Sequence, residues 1–230
     1  MSPLRINEII DLLAREYGSI TWRSRTDPLS ELIMTILSQN TSDHNSRRAF
    51  DSLLSRFGSW QAVAEGSVED IAEAIKLGGL AQVKAPRIKQ ILEQIQAQRG
   101  SLDLRFLKKM PVAEAKEWLR SLPGVGPKTA ACVLLFSLGR PVLPVDTHIH
   151  RVAKRLGLID SRVSAEKAHE ILGGMVTAKD VYRFHILMIE HGRKVCKAQR
   201  PRCREQRHGM PGGRRVDDDE IETVTAALEA

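Results

Sequence analysis

A glycine-rich stretch at residues 121–134, SLPGVGPKTAACVL, places a lysine at the second position of a predicted helix. Pro127 opens this helix, because proline is favoured at the first helical position, and Lys128 follows within the first turn. The positive end of the helix dipole disfavours a cation there, where Asp or Glu would be preferred. The position of Lys128 is therefore incidental, or Lys128 contacts a phosphate, or it is an amine kept reactive by the destabilisation of its charged form. The stretch by itself leaves these three interpretations open.

Two glycines before this helix, Gly124 and Gly126, indicate a tight hairpin between two helices. Without a Cβ atom, glycine lets the backbone turn sharply and approach another molecule closely. The amides of the hairpin and of the following helix then point outward, which suits a phosphate group. A simple corner between two helices is the alternative that this motif does not exclude.

Helical periodicity and capping signals continue along the chain and predict an all-α protein. Asp27-Pro28 combines an N-cap residue with a proline at the first helical position, and it opens the apolar run LSELIMTIL. One short β-like run, PVLPV, contains two prolines that forbid a central strand. The predicted helices lie approximately at residues 4–17, 28–37, 42–57, 67–77, 82–98, 111–119, 127–138, 147–156, 164–173 and 178–191.

The composition favours a soluble, cytoplasmic protein, associated with the nucleoid if the source is a prokaryote. Hydrophobic residues make up 42% of the 230 residues, and no apolar run approaches the roughly 20 residues that span a membrane. The first residues, MSPLRINEIIDLLAREYG, are amphipathic and do not resemble a secretory signal. Three cysteines are too few for a disulfide framework, and their odd number argues against an oxidising compartment.

The net charge of +7 and the pI near 9.5 suit a polyanionic partner. Only 4% of the residues are aromatic, which argues against a surface that stacks rings on unpaired bases. Contacts to the backbone of double-stranded DNA fit this composition better.

The hairpin LPGVGPKTA followed by PVDTHIHRV resembles the helix–hairpin–helix DNA glycosylases, most closely the endonuclease III family. That family carries a catalytic lysine in its hairpin and an aspartate in V-D-T-H at a fixed spacing. Lys128 and Asp146, 18 residues apart, match these positions. The segments LIMTILSQNTSDHNSRRAF, IKLGGLAQVKAPRI and HGRKVCKAQRPRC resemble other parts of the family, so that the resemblance runs from about residue 27 to 203.

The resemblance implies two helical lobes with a DNA-binding cleft between them. Residues 23–140 would form a six-helix barrel that contains the hairpin, and residues 1–22 with 141–203 would form the second lobe. Asp146 would lie at the seam between the lobes, and the protein would act as a monomer. Residues 204–230 are expected to be a flexible polar tail, because they are rich in glycine and charge.

The implied activity is that of a bifunctional DNA glycosylase and apurinic/apyrimidinic lyase, with oxidised pyrimidines as the expected substrates. Lys128 would attack C1′ of the sugar and form a Schiff base that leads to β-elimination. Asp146 would stabilise the positive sugar and transfer protons, while also capping the helix that follows it. A monofunctional mismatch glycosylase is the rival enzyme, against which Lys128 argues. A DNA-binding module without catalysis is the rival of another class.

Extrusion of a base leaves a gap in the duplex that the protein must fill. By position in the matched segments, Leu80 would be a wedge, and Asn40 or its neighbour Gln39 would enter the gap. The family usually has glutamine where Asn40 falls, which leaves the choice between the two open, and Leu80 could instead fill the core. The hairpin residues Gly124, Val125 and Gly126 would hold a backbone phosphate, directly or through a bound monovalent cation.

The C-terminal segment departs from the cysteine pattern of the family, C-x6-C-x2-C-x5-C. Cys196 and Cys203 fit the first gap, but Gln206 and Gly212 occupy the third and fourth positions. Two thiolates do not make the four-cysteine site of a [4Fe–4S] cluster. We therefore predict that the protein holds no iron–sulfur cluster and no other metal cofactor apart from the possible monovalent cation at the hairpin, and that Cys132 lies in the core.

Overall fold

The computed structural model describes residues 6–202, and that part of the chain is entirely helical and irregular, with no β-strand. The prediction of an all-α protein is confirmed. Cys203, Gln206, Gly212 and the tail predicted from residue 204 lie outside the described residues. No helix within residues 6–202 is both long and apolar enough to cross a bilayer.

Eleven α-helices make up the described part of the chain. They are α1 (Ile6–Tyr17), α2 (Pro28–Ser38), α3 (Asp43–Phe57), α4 (Trp60–Glu65), α5 (Val68–Ile75), α6 (Ala81–Arg99), α7 (Val112–Arg120), α8 (Pro127–Cys132), α9 (Thr147–Arg155), α10 (Ala165–Met175) and α11 (Val181–Lys194). Two 3₁₀ turns lie at Lys76–Gly78 and Arg105–Lys108, and α8 continues as a π-helical turn at Val133–Ser137.

The chain divides into two compact units. Arg23–Val142 is called here the hairpin unit, whereas the sequence placed this boundary at residue 140. The described residues 6–22 and 143–202 make up the other, called the terminal unit. In the hairpin unit α2 packs against α3 and α8, and in the terminal unit α11 packs against α1 and α9.

Helix ends follow the capping signals in the sequence. Asp27 Oδ1 accepts hydrogen bonds from the amides of Leu29 and Ser30 at 3.1 and 3.0 Å, and Pro28 takes the first helical position. Ser67 caps α5 through the amide of Asp70 at 3.0 Å. These N-caps satisfy donors that a helix leaves unpaired, which explains why the predicted starts of α2 and α5 are confirmed.

The core of the hairpin unit is built around α2. Its apolar side chains Leu32, Ile33, Ile36 and Leu37 are fully buried among side chains of α3, α5, α6 and α8. Each such side chain stabilises the fold by about 1.5–3 kcal/mol relative to an exposed position. The α2 backbone is therefore a rigid support for the residues that follow its C-terminal end.

Candidate nucleic-acid interface and catalytic residues

The hairpin between α7 and α8 is a tight turn whose form depends on its glycines. The Val125 amide donates to the carbonyl of Leu122 at 3.2 Å, and the Val125 side chain is buried in the core. Gly124 has a φ of 69°, a left-handed conformation that glycine adopts at no steric cost. Gly126 precedes α8 in an extended conformation, and no side chain caps its helix. The side chain of Val125 is thus not available to a ligand.

The two hairpin glycines have different surroundings. A Cβ atom on Gly124 would lie 2.4 Å from Cδ and Nε of Arg87, so the Arg87 side chain packs directly on this glycine. A Cβ atom on Gly126 would have no other atom within 4 Å. The fold therefore requires glycine at 124, whereas at 126 the backbone faces open space that another molecule could occupy.

Gln39, which follows α2, is hydrogen-bonded to the hairpin. Its Nε2 donates to the carbonyl of Gly124 at 3.3 Å and to Thr129 Oγ1 at 3.5 Å. Its Oε1 accepts a hydrogen bond from Arg87 Nη1 at 3.0 Å. Gln39 therefore connects the end of α2 to α6, the hairpin and α8. The sequence analysis offered Gln39 as the alternative to Asn40 for entering the gap, and it did not anticipate Arg87 as a partner of Gln39.

Lys128 lies at the second position of α8, as predicted, and is partly buried. Glu31, on the buried face of α2, is a charged neighbour that the sequence analysis missed. Burial raises the pKa of the Glu31 carboxyl, and the positive charges of Arg25 and Lys128 oppose that rise. A glutamate in the middle of the apolar run LSELIMTIL was the available signal, because an unpaired acid is rarely placed there.

Asn40 and Leu80 share an unusual backbone conformation, each with a φ of 53°. A left-handed conformation costs a non-glycine residue about 1–3 kcal/mol, and it persists only where the surrounding structure holds it. The side chain of Leu80 is 53% exposed, which rules out the alternative that it fills the core. Asn40 is exposed as well, in contrast to the hydrogen-bonded Gln39 beside it.

Asp146 caps α9 in the terminal unit, as predicted. Its Oδ1 accepts a hydrogen bond from the Ile149 amide at 2.8 Å, and no described residue occupies its second carboxylate oxygen. Two histidines hold the preceding backbone: His169 Nδ1 lies 3.1 Å from the Leu143 carbonyl, and His185 Nδ1 lies 2.9 Å from the Pro144 carbonyl. The carboxylate therefore sits at a fixed turn with one oxygen free to interact.

The described cysteines do not form a metal site. Cys132 is buried in α8 of the hairpin unit, and Cys196 is fully buried in the terminal unit. The Sγ atom of Cys196 lies 3.2 Å from Arg155 Nη1, which donates to it. Within residues 6–202, no group of three or more His, Cys, Asp or Glu side chains is placed to hold a metal.

The chain is similar to known proteins over most of its length. Residues 33–176 match the family model of the HhH-GPD superfamily base excision DNA repair proteins. Endonuclease III of Thermotoga maritima is 36% identical over 199 residues, covering 86% of this chain and 89% of that protein. An Arabidopsis thaliana protein provisionally named as a DNA glycosylase is 40% identical over 168 residues; the match covers 73% of this chain and 57% of that relative.

A solved structure gives the same result for the fold. The structure of a trapped endonuclease III–DNA covalent intermediate is 26% identical in sequence and superposes with a TM-score of 0.75. The match covers 89% of this chain and 92% of that protein chain. The sequence match and the fold agree with the hairpin geometry described above. The chain therefore belongs to the HhH-GPD superfamily of base excision DNA repair proteins and is an endonuclease III-like DNA glycosylase.

Proposed function

We propose that this protein binds double-stranded DNA, removes oxidised pyrimidines and cleaves the resulting abasic site through a Schiff base on Lys128. The observation that carries the proposal is the placement of Lys128 at the start of α8, directly after the glycine hairpin. The relatives support it, because endonuclease III of Thermotoga maritima aligns over 89% of its length and another endonuclease III has been trapped covalently on DNA.

The chemistry requires an amine with a free electron pair. A free lysine is almost entirely protonated at pH 7, so the amine must give up a proton before it attacks the sugar. The Lys128 nitrogen would bond to C1′ of the sugar as the glycosidic bond breaks, and the departing base would keep the bonding electrons and take up a proton. Opening of the sugar ring then gives an iminium. Loss of a C2′ proton expels the 3′ phosphate with the electrons of its C–O bond.

For Asp146 we propose the electrostatic role that the resemblance implies. The sugar becomes positively charged as the base leaves, and a carboxylate stabilises this charge. The cap uses one oxygen of Asp146 and leaves the other for that interaction. The N-cap bond also restrains the rotamer of the carboxylate, which reduces the reorganisation needed during the reaction.

The hairpin and the two exposed loop residues are the proposed contacts to DNA. The open space over Gly126 would admit a backbone phosphate, with or without a monovalent cation between them. Asn40 is the better candidate to enter the gap left by the base, because Gln39 is already hydrogen-bonded to Gly124 and Arg87. Leu80, exposed and held away from the core, would be the wedge.

We propose that the protein works without an iron–sulfur cluster. A [4Fe–4S] cluster is held by four thiolates, whereas Cys196 is the one cysteine of this segment among the described residues, and its sulfur accepts a hydrogen bond from Arg155. Arg155 also donates to the carbonyl of Lys197 at 2.8 Å, and Arg151 donates to that of Cys196 at 2.9 Å. These arginines hold the backbone of the segment directly. Iron bound to the purified protein in stoichiometric amount would contradict this proposal.

Excision and strand cleavage on defined duplexes test the proposed function. A panel should contain thymine glycol, other oxidised pyrimidines, a G·T mismatch and an abasic site, with Lys128→Gln as the test variant. Lys116→Gln on α7 is the matched control, since Lys116 is also partly buried and has no assigned role. Excision of oxidised pyrimidines with strand cleavage, lost only in Lys128→Gln, supports the proposal. Excision restricted to the mismatch, or binding without reaction, contradicts it.

A further inference from the structure

One buried lysine, Lys84 of α6, contacts the backbone shortly before both of the left-handed residues, Asn40 and Leu80. Its side chain is 2% exposed, and its Nζ donates to the carbonyl of Leu37 at 2.6 Å and to that of Gly78 at 3.1 Å. Leu37 stands near the end of α2, three residues before Asn40, and Gly78 stands two residues before Leu80. A single ammonium group thus connects the backbone that leads into Asn40 with the backbone that leads into Leu80.

The position of this ammonium group suits a positive charge. α2 ends at Ser38 and the 3₁₀ turn ends at Gly78, so the two carbonyls lie where helices leave acceptors unpaired and where their dipoles favour a cation. Burial lowers the pKa of Lys84, and its Nζ donates to the two backbone carbonyls. Its charge is therefore stabilised by helix-end carbonyls, an uncommon arrangement for a residue that packing could have made apolar.

Thr41 makes a second connection between the same loops. Its Oγ1 donates to the carbonyl of Gly78, which thereby accepts from both Thr41 and Lys84. The loop cannot easily move toward α3, because a Cβ atom on Gly78 would already lie 2.8 Å from that of Ala49. The backbone before Leu80 is thus fixed by two donors and by close packing.

We infer that Lys84 is a positioning residue for base extrusion, which holds Asn40 and Leu80 in place before DNA binds. The inference rests on the proposed function, in which these two residues replace the extruded base. A loop ordered in advance loses less conformational entropy when it enters the duplex than one that must be ordered on binding. The benefit is largest where a base must be unpaired and unstacked, and small at an abasic site, which has no base to extrude.

The test compares two substrates for each variant of the full-length protein. Single-turnover excision is measured on a duplex with thymine glycol opposite adenine, and borohydride trapping is measured on the same duplex with an abasic site. Lys84→Met keeps the length of the side chain but removes its donors. We expect it to lower the excision rate at least tenfold more than the trapping rate. Thr41→Val should show the same bias, about threefold, because it removes one of the two donors to Gly78.

Lys89→Met is the matched control on the same helix. Lys89 Nζ also donates to two carbonyls, those of Ala64 and Gly66, both at 2.8 Å, but neither belongs to the Asn40 or Leu80 loop. Lys89→Met should therefore change the excision rate and the trapping rate by the same factor. Equal losses on the two substrates for Lys84→Met, or the same bias in Lys89→Met, would overturn the inference. If the wild type neither excises nor is trapped, the proposed function itself fails, and this result is distinct from either outcome.

Discussion

Replacement of Gly124 by alanine should destabilise the hairpin unit by about 2 kcal/mol. The φ of 69° places the new side chain in the left-handed region, which costs about 1–2 kcal/mol. The new Cβ atom would also displace Arg87, now 2.4 Å from that position, and the hydrogen bond between Arg87 and Gln39 would be lost. That bond contributes about 0.5–1.5 kcal/mol, whereas the flexible end of Arg87 relieves the clash itself at little further cost.

Thermal unfolding measures this difference, and Gly126→Ala is the control. About 2 kcal/mol corresponds to a fall in Tm of about 4–8 °C for a chain of this size. Gly126 has a φ of −87° and open space around it, so Gly126→Ala should change the unfolding free energy by less than about 0.5 kcal/mol. We expect it instead to weaken binding to abasic-site duplex in fluorescence anisotropy. Equal destabilisation by the two substitutions would refute this account of the hairpin.

Three further predictions concern individual side chains of the two units. Burial lowers the pKa of His191 to about 4, so as the pH falls the unfolded chain binds this proton before the folded chain does. The free energy of unfolding should therefore fall by up to about 3 kcal/mol from about pH 6.5 to pH 4. In urea unfolding measured across this range, His191→Gln should show a smaller dependence of that free energy on pH. Burial raises the pKa of Glu31, so the wild type loses stability as the pH rises above the unfolded-state value of about 4.5. Glu31→Gln should therefore gain stability relative to wild type as the pH rises from there, and a stability difference that does not change with pH would contradict this. Arg155→Met should speed amide exchange across residues 195–202, whereas Lys154→Met should not.

Much of the fold could be predicted from the sequence because its local signals agree with its packing. Helices α2, α3 and α5 begin after the N-cap residues Asp27, Ser42 and Ser67, and α3 ends at the C-cap Gly58; these residue types are also the capping signals in the sequence. The six-residue helix α4 was missed, since it buries fully only Val63 and therefore shows no amphipathic period. The π-helical turn after α8 was also missed, because residues 127–138 carry the apolar pattern of a continuous helix.

Only part of the candidate site could be predicted. Lys128 and Asp146 were identified by their spacing in two motifs, and their positions at the starts of α8 and α9 are confirmed. Their catalytic roles stay predictions. The engagement of Gln39 by Arg87 and of two loops by Lys84 could not be predicted, because these contacts join residues 48 and 47 positions apart in the chain. No local pattern specifies such pairs.

The most direct test of the central claim is mass spectrometry of the covalent complex. The protein would be incubated with an abasic-site duplex and borohydride, digested, and its peptides searched for the mass of the reduced sugar adduct. Hydride addition to an iminium gives a stable secondary amine, so the modified residue is retained through digestion. The account predicts a single adduct on Lys128. An adduct on any other lysine, or no adduct under conditions in which the duplex is bound, would contradict it.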